Sequence, residues 1–142
     1  MVEILEVRQH MEGLAAFFAA SRMKSDQLEE LREVAAKYND AVTEGNMENM
    51  IRFDTRFHRI IVESCNNKIL VQMIEQLQEL VLRFRYIYYD NFRRAENMPE
   101  EHKMILEAIE CGNAEAARDA ADVHIARLKD LVIREGVQQR HL

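Results

Sequence analysis

The stretch GNMENMIRFDTRFHRIIVESCNNKIL, residues 45–70, decides the fold. Gly45-Asn46 reads as the stop of one helix and the cap of the next. Glycine takes the left-handed conformation that ends a helix, and an asparagine side chain accepts from a first-turn N–H. From about residue 47 to 65 the inward stripe is Met47, Met50, Ile51, Phe57, Ile61 and Cys65, recurring at the spacing of one helix face. Asn66-Asn67 supplies a further cap. Two ionisable residues interrupt this stripe, Asp54 and His58. They are four apart, so their side chains leave the helix on the same side, one turn from each other.

Working outward, the same punctuation recurs along the chain. Before this helix, a segment over residues 2–23 has Ile4, Val7, Met11, Leu14 and Phe18 as its stripe, weakened slightly by Gly13. A break at Lys24-Ser25-Asp26, with Ser25 as N-cap, leads into a segment striped by Leu28, Leu31, Val34, Tyr38 and Val42. After it, a long segment runs from about residue 68 into the low nineties, with Ile69, Met73, Leu77, Leu80, Phe84 and Ile87 or Tyr88 on one face. Its broadly apolar second half places it centrally in the bundle. The loop is expected around residues 93–98, and Pro99 suits the first turn of a fifth helix, where its missing N–H costs nothing. Cys111-Gly112 ends that helix. Asn113 caps a sixth, striped by Ala117, Ala121, Leu128 and Leu131. Six helical segments with breaks of a few residues predict an all-α fold, a single antiparallel bundle with an internal cavity.

Composition sets limits. The chain has 142 residues, 25 acidic and 19 basic, with a formal charge of -6. That balance argues against the chain itself coating a nucleic-acid backbone, which needs a basic face. Four glycines and one proline are too few turn-formers for an all-β fold. Cys65 and Cys111 fit no zinc or disulfide spacing and read as thiols of a reducing compartment, so the expected location is cytoplasmic. No apolar run approaches the roughly 18 residues of a membrane span. Arg83 and Arg85 stand among Phe84, Tyr86, Tyr88 and Tyr89, a mixture that can mark nucleic-acid binding. On a helix, however, these side chains scatter around the axis.

Two more histidines fall where a core belongs. His102 is in register with Ile105, Leu106 and Ile109, and His124 with Ala117, Ala121 and Leu128. Three of five histidines and one Asp therefore point inward from three helices. Buried ionisable groups are costly unless paired or coordinated. A divalent metal would satisfy all four at once, and neutral imidazoles with a carboxylate suit zinc, nickel, manganese or iron. Separate, satisfied core histidines and a simple Asp54–His58 pair are the bland alternative. His10 has no such companions, and His141 lies in a polar tail. The residues three before His10, His58, His102 and His124 are Val7, Thr55, Pro99 and Ala121, so no Glu-x-x-His di-iron motif is present. There is no HExxH, P-loop, GxGxxG or GxSxG either. A four-ligand metal with an open position could activate water, which leaves a small metal-dependent hydrolase as one alternative and a metal-free helical interaction module as another.

At these residues the chain resembles a known family. RFDTRFHRIIVESCNNKIL (residues 52–70) resembles the D-x-x-F-H-x-x-I…N-x-x-L signature of the FCD domain. EEHKMILEAIECGNAEAARDAADVHIARL (residues 100–128) resembles its second half, and LEVRQHMEGLAAFFAA (residues 5–20) its opening helix. The FCD domain is the effector-binding half of GntR-family transcription regulators of the FadR subfamily, and six segments are similar to its VanR-like branch. The resemblance implies a divalent metal on Asp54, His58, His102 and His124 at the base of a cavity. It also implies a small carboxylate effector beside the metal, and a homodimer that binds operator DNA through an N-terminal winged helix-turn-helix domain. Residues 1–137 are then the FCD-like ligand-binding domain and 138–142 a polar tail, with the winged domain absent from this chain. The expected role is sensing, not catalysis. Arg8 is a candidate clamp for the effector carboxylate, since Arg suits bidentate recognition. Its plainer reading is a surface pair with Glu12. Asn67 matches the family's asparagine and reads as an N-cap.

Overall fold

A computed structural model describes residues 2–87 and 98–139, with side chains described at residues 2–82 and 98–134. Six α-helices account for nearly all of them: α1 Val2–Arg22, α2 Ser25–Glu44, α3 Met47–Ser64, α4 Lys68–Ile87, α5 Met98–Glu110 and α6 Ala114–Gln139. The expected loop over residues 93–97 lies outside the described residues, and Met98 already opens α5. So do the side chains of Arg83, Phe84, Arg85, Tyr86, Tyr88 and Tyr89, and His141. Helix α6 runs through Gln139.

The helix ends follow from local chemistry. Gly45 ends α2 at φ 67°, a left-handed conformation that a side chain would strain. Asn46 Oδ1 accepts from Asn49 N–H at 3.1 Å, Asn67 Oδ1 from Leu70 N–H at 3.1 Å, and Asn113 Oδ1 from Ala116 N–H at 3.1 Å. These are the caps read from the sequence. The start of α2 differs by one residue: Lys24 takes the extended cap position and the Gln27 side chain accepts its N–H at 3.0 Å. Ser25 is therefore the first helical residue, not the cap.

Turns this short fold the helices back on one another. The most extensive packing is α1 on α6, followed by α2 on α3 and α5 on α6. Ala15, Ala16 and Ala19 of α1 and Ala117 and Ala121 of α6 are all buried, and small side chains allow backbones to approach closely. Around them Leu31, Val34, Phe57, Ile60, Ile105 and Ile109 complete the main core.

Two expected faces are corrected. The buried face of α1 is Leu5, Arg8, Glu12, Ala15, Ala16 and Ala19, whereas Val7 and Leu14 of the expected stripe are exposed. Among the described residues helix α4 packs chiefly along α1 and, less, α3, and most of its second half, expected at the centre of the bundle, lies outside the described side chains. Leu70, Ile74 and Val81 face inward, while Ile69, Met73 and Leu80 face out. The physical reason is that alanines, not large apolar residues, form the tightest contact of α1, so its most hydrophobic stripe is not its most buried one.

Candidate metal centre

Three helices bring the four expected ligands to one point. Helix α3 contributes Asp54 and His58, α5 contributes His102 and α6 contributes His124. One donor atom from each lies within 4.8 Å of all the others. Asp54 Oδ1 is 2.9 Å from His102 Nε2 and 3.2 Å from His58 Nε2, and His58 Nε2 is 3.2 Å from His124 Nε2. Two ligands bound at roughly 2.1 Å to one ion stand about 3.4 Å apart at a tetrahedral angle and about 3.0 Å apart at a right angle. Two of the three edges fall in that range, the Asp54–His102 edge lies just below it, and no other exceeds 4.8 Å. All four side chains are buried, with exposures of 4, 4, 1 and 0% in chain order.

The rings are held by packing. Phe57 stacks on His102 at 4.4 Å between centroids, Tyr38 meets His102 edge-on at 4.6 Å, and His58 stacks on His124 at 5.1 Å. Burial pushes the His124 pKa well below its ordinary value, and the neighbouring His58 and His102 add to this against the pull of Asp54. Burial also lowers His102, opposed by the adjacent Asp54. The two rings are therefore neutral, the form in which imidazole coordinates a metal.

Two outer carboxylates were not among the expected site residues. Glu12 Oε2 faces His58 Nδ1 at 3.5 Å, and Glu101 Oε2 faces His124 Nδ1 at 3.7 Å. Both glutamates are buried. Neither contact is a hydrogen bond, since Glu12 Oε2 and His124 Nδ1 have no hydrogen-bond partner, but both carboxylates stand on the Nδ1 side of a ring, the side from which an outer carboxylate supports a metal-bound histidine. The His58 and His124 Nε2 atoms lie 3.2 Å apart, within hydrogen-bond distance, with the donor set by the tautomer. Burial raises the Glu101 carboxyl above its usual range, against Arg127 and His102. Burial alone would do the same to Glu12, but Arg8 foremost, with His58 and His124, outweighs it and lowers that carboxyl. Glu12 was legible only through its company: it shares a face with Leu5 and the alanines Ala15, Ala16 and Ala19.

Arg8 is the fifth expected residue. Its Nε donates to Glu12 Oε1 at 3.0 Å, so the pair with Glu12 exists, but it is buried and not on the surface. Its Nη1 and Nη2 have no hydrogen-bond partner. A void of about 10 Å³ adjoins the site, lined by Glu12, Ala16, His58, Ile61, Val62, Ile105 and Ala121. That is room for about one water molecule.

A helical bundle with a buried three-histidine, one-aspartate cluster defines a domain that can hold a metal ion in its core. The FCD domain family matches residues 3–127, and the chain belongs to that family. It is 27% identical over 123 residues to the HTH-type transcriptional regulator YdhC of Bacillus subtilis, covering 86% of this chain and 55% of YdhC. It is 29% identical over 118 residues to the HTH-type transcriptional regulator McbR of Escherichia coli, covering 82% of this chain and 53% of McbR. The solved structure of E. coli McbR/YncC superposes with a TM-score of 0.83 at 25% identity, over 94% of this chain and 64% of that one. The chain spans about half the length of the curated relatives it matches. Among the described residues, no helix is long and apolar enough to cross a membrane.

Proposed function

We propose that this chain is the effector-sensing domain of a transcription regulator, with a divalent transition metal on Asp54, His58, His102 and His124 and a small organic acid bound beside it. The observation that carries the reading is the cluster itself: four buried donors from three helices at coordination spacing. Three nitrogens and one oxygen suit zinc first, and nickel, manganese or iron next. A bound metal would supply a Lewis-acidic attachment point for a carboxylate. Arg8 supports the effector half of the reading, because its buried guanidinium has two donor nitrogens without acceptors, and a planar fork of donors matches a carboxylate.

Sensing follows from helix placement. The site draws on α1, α3, α5 and α6 together, so a ligand that prefers one arrangement of these helices shifts the population toward it. A ligand with equal affinity for both arrangements would change nothing. Operator DNA would be contacted by a winged helix-turn-helix domain of the whole regulator, in the cytoplasm, and not by this acidic stretch. The domain is read as a sensor and not as an enzyme because the relatives it resembles are transcription regulators.

Two measurements test this. Protein purified without chelator or a metal-affinity column is expected to carry about one transition metal per chain by elemental analysis. Less than a tenth, together with unchanged thermal stability of His58→Ala, overturns the metal. A thermal-shift panel of small carboxylates is then expected to give stabilisation without turnover, lost in Arg8→Gln. Slow consumption of a stabilising acid would favour the hydrolase instead.

A further inference from the structure

Helices α5 and α6 leave a groove between their outer faces. Met104, Ala108 and Cys111 form one wall and Ala116, Ala120 and Val123 the other, around a cavity of about 530 Å³. Alanine at three of those six positions leaves the space hollow. Met104 and Val123 are 54 and 46% exposed, two large apolar side chains held against water. A concave site of roughly 300–1,000 Å³, apolar with a few placed polar groups, is the usual form of a small-molecule pocket. The groove shares no lining residue with the small void beside the metal donors.

Its charged groups are mostly of one sign. Glu101, Glu107 and Asp119 border it, against one cation, Arg127. Glu107 and Asp119 are exposed, whereas the Glu101 side chain is only 7% exposed. Glu101 Oε1 is buried and accepts no hydrogen bond. Arg127 Nη1 stands 3.5 Å from that oxygen, on a side chain 57% exposed. That is longer than the usual N–H···O distance of about 2.7–3.2 Å. A buried carboxylate oxygen without a donor is costly, and a solvent-screened arginine offsets little of the cost. Among the described residues, only the four buried donors of the metal centre cluster at metal spacing, so an organic cation, not a bare ion, fits this groove.

We infer that the α5–α6 groove binds a small organic cation, an amine with a short apolar body, whose ammonium donates to Glu101 Oε1 while the body covers Met104, Ala120 and Val123. The ammonium replaces the long ion pair to Arg127 with a shorter, charge-assisted hydrogen bond. The exposed carboxylates of Glu107 and Asp119 add attraction at the rim. The site also has a use, which rests on the metal reading although the site itself does not. Glu101 Oε2 lies 3.7 Å from His124 Nδ1, so the carboxylate serves the groove with one oxygen and stands behind a metal donor with the other. An amine on Glu101 neutralises the charge behind His124 and so weakens metal binding. By linkage, the metal weakens the amine by the same factor.

Titration of the full chain with 2-phenylethylamine, protonated at neutral pH and followed by amide NMR, tests the inference. Shifts are expected at Met104, Cys111, Ala120 and Val123 and not at Arg8 or Ile61, with a dissociation constant of about 1 mM or below, the scale of a ligand this small. 2-Phenylethanol, the same body with a neutral head, is expected to bind about 10-fold or more weakly, the scale of a hydrogen bond to a charged group. Glu101→Gln should weaken the amine by about the same factor and leave the alcohol unchanged. Ala120→Phe fills the groove away from the carboxylate and should abolish binding of both; it decides the matter if Glu101→Gln does not fold. No groove shifts at up to about 10 mM amine, equal affinity for amine and alcohol, or full amine binding by either variant overturns the inference. So do groove shifts that follow protein concentration with no amine present, which would assign the groove to a second copy of the chain. Chelator competition then reads the link to the metal, where saturating amine is expected to lower zinc affinity several-fold. Zinc affinity indifferent to bound amine overturns that link. Protein that binds the amine but takes up no zinc would sink the metal reading and leave the groove site standing.

Discussion

Glu12 and Glu101 occupy equivalent positions behind two of the four donors, yet their surroundings differ. Glu12 is clamped by a buried arginine, whereas Glu101 faces Arg127, whose side chain is 57% exposed. Each carboxylate would support the histidine in front of it in a metal-bound site, and removing its charge would remove that support. Outer partners of this kind typically contribute 10- to 100-fold to metal affinity. Glu12→Gln is therefore expected to weaken zinc binding by about 10- to 100-fold in chelator competition, with the fold intact by circular dichroism. Glu101→Gln should fall short of that, because solvent screens its arginine. Equal affinity in Glu12→Gln and wild type would show that packing against Phe57 and the neighbouring rings, not the carboxylates, orients the donors. The four inner donors were legible from register alone, since each interrupts an apolar stripe. Glu101 was not, because it sits beside Glu100 in the charged first turn of α5, and Glu12 was not, because a Glu four residues after an Arg is also an ordinary pattern of a solvated helix surface. Only the neighbouring alanines distinguish the two cases.

At the scale of the helix, the caps were the most legible feature and the orientation of the helices the least. A cap is decided within three residues, by an asparagine oxygen and a first-turn N–H, and no distant part of the chain can override it. Asn46→Ala is accordingly expected to cost about 1 kcal/mol in a chemical-denaturation midpoint. Gly45→Ala should cost a similar amount, about 1 kcal/mol, because Gly45 has nothing near its Cα to clash with but holds φ 67°. If Gly45→Ala proves neutral, α2 can end without the left-handed residue. Orientation, by contrast, depends on what other helices present. In α3 the apolar stripe and the buried face coincide, and Phe57→Ala there should cost about 3–5 kcal/mol. In α1 and α4 a second apolar stripe competes, and periodicity cannot rank the two. The apolar stripes themselves were visible; what was missing was the information that alanine faces fill the interior of the bundle.

For the whole molecule, the buried cluster ties stability, metal and pH together. His102 and His124 have pKa values below the ordinary 6.5 in the folded protein. In the unfolded chain they protonate near that value, so below about pH 6.5 the unfolded state binds more protons and stability falls as pH falls. Each ring that stays neutral costs about 1.4 kcal/mol per pH unit in that window, and two rings about twice that. The lowered Glu12 carboxyl acts in the same direction further down, as pH drops below its usual 4.5, whereas the raised Glu101 carboxyl opposes the loss above 4.5, where only the folded protein holds its proton. A metal that binds only the folded, deprotonated cluster adds to stability by mass action, about 2.7 kcal/mol at a free concentration 100 times its dissociation constant. Protons compete for the same nitrogens, so this addition shrinks with acidification. Thermal melts between pH 5 and 8, with and without added zinc, should show two effects. The metal-free protein loses stability progressively below about pH 6.5, and the increment from zinc is large at pH 7.5 and nearly gone at pH 5. In His124→Ala the zinc increment should be lost at every pH. An increment of the same size at pH 5 and 7.5 would place the zinc on groups other than these histidines, and the cluster would then be a set of packed, neutral core side chains.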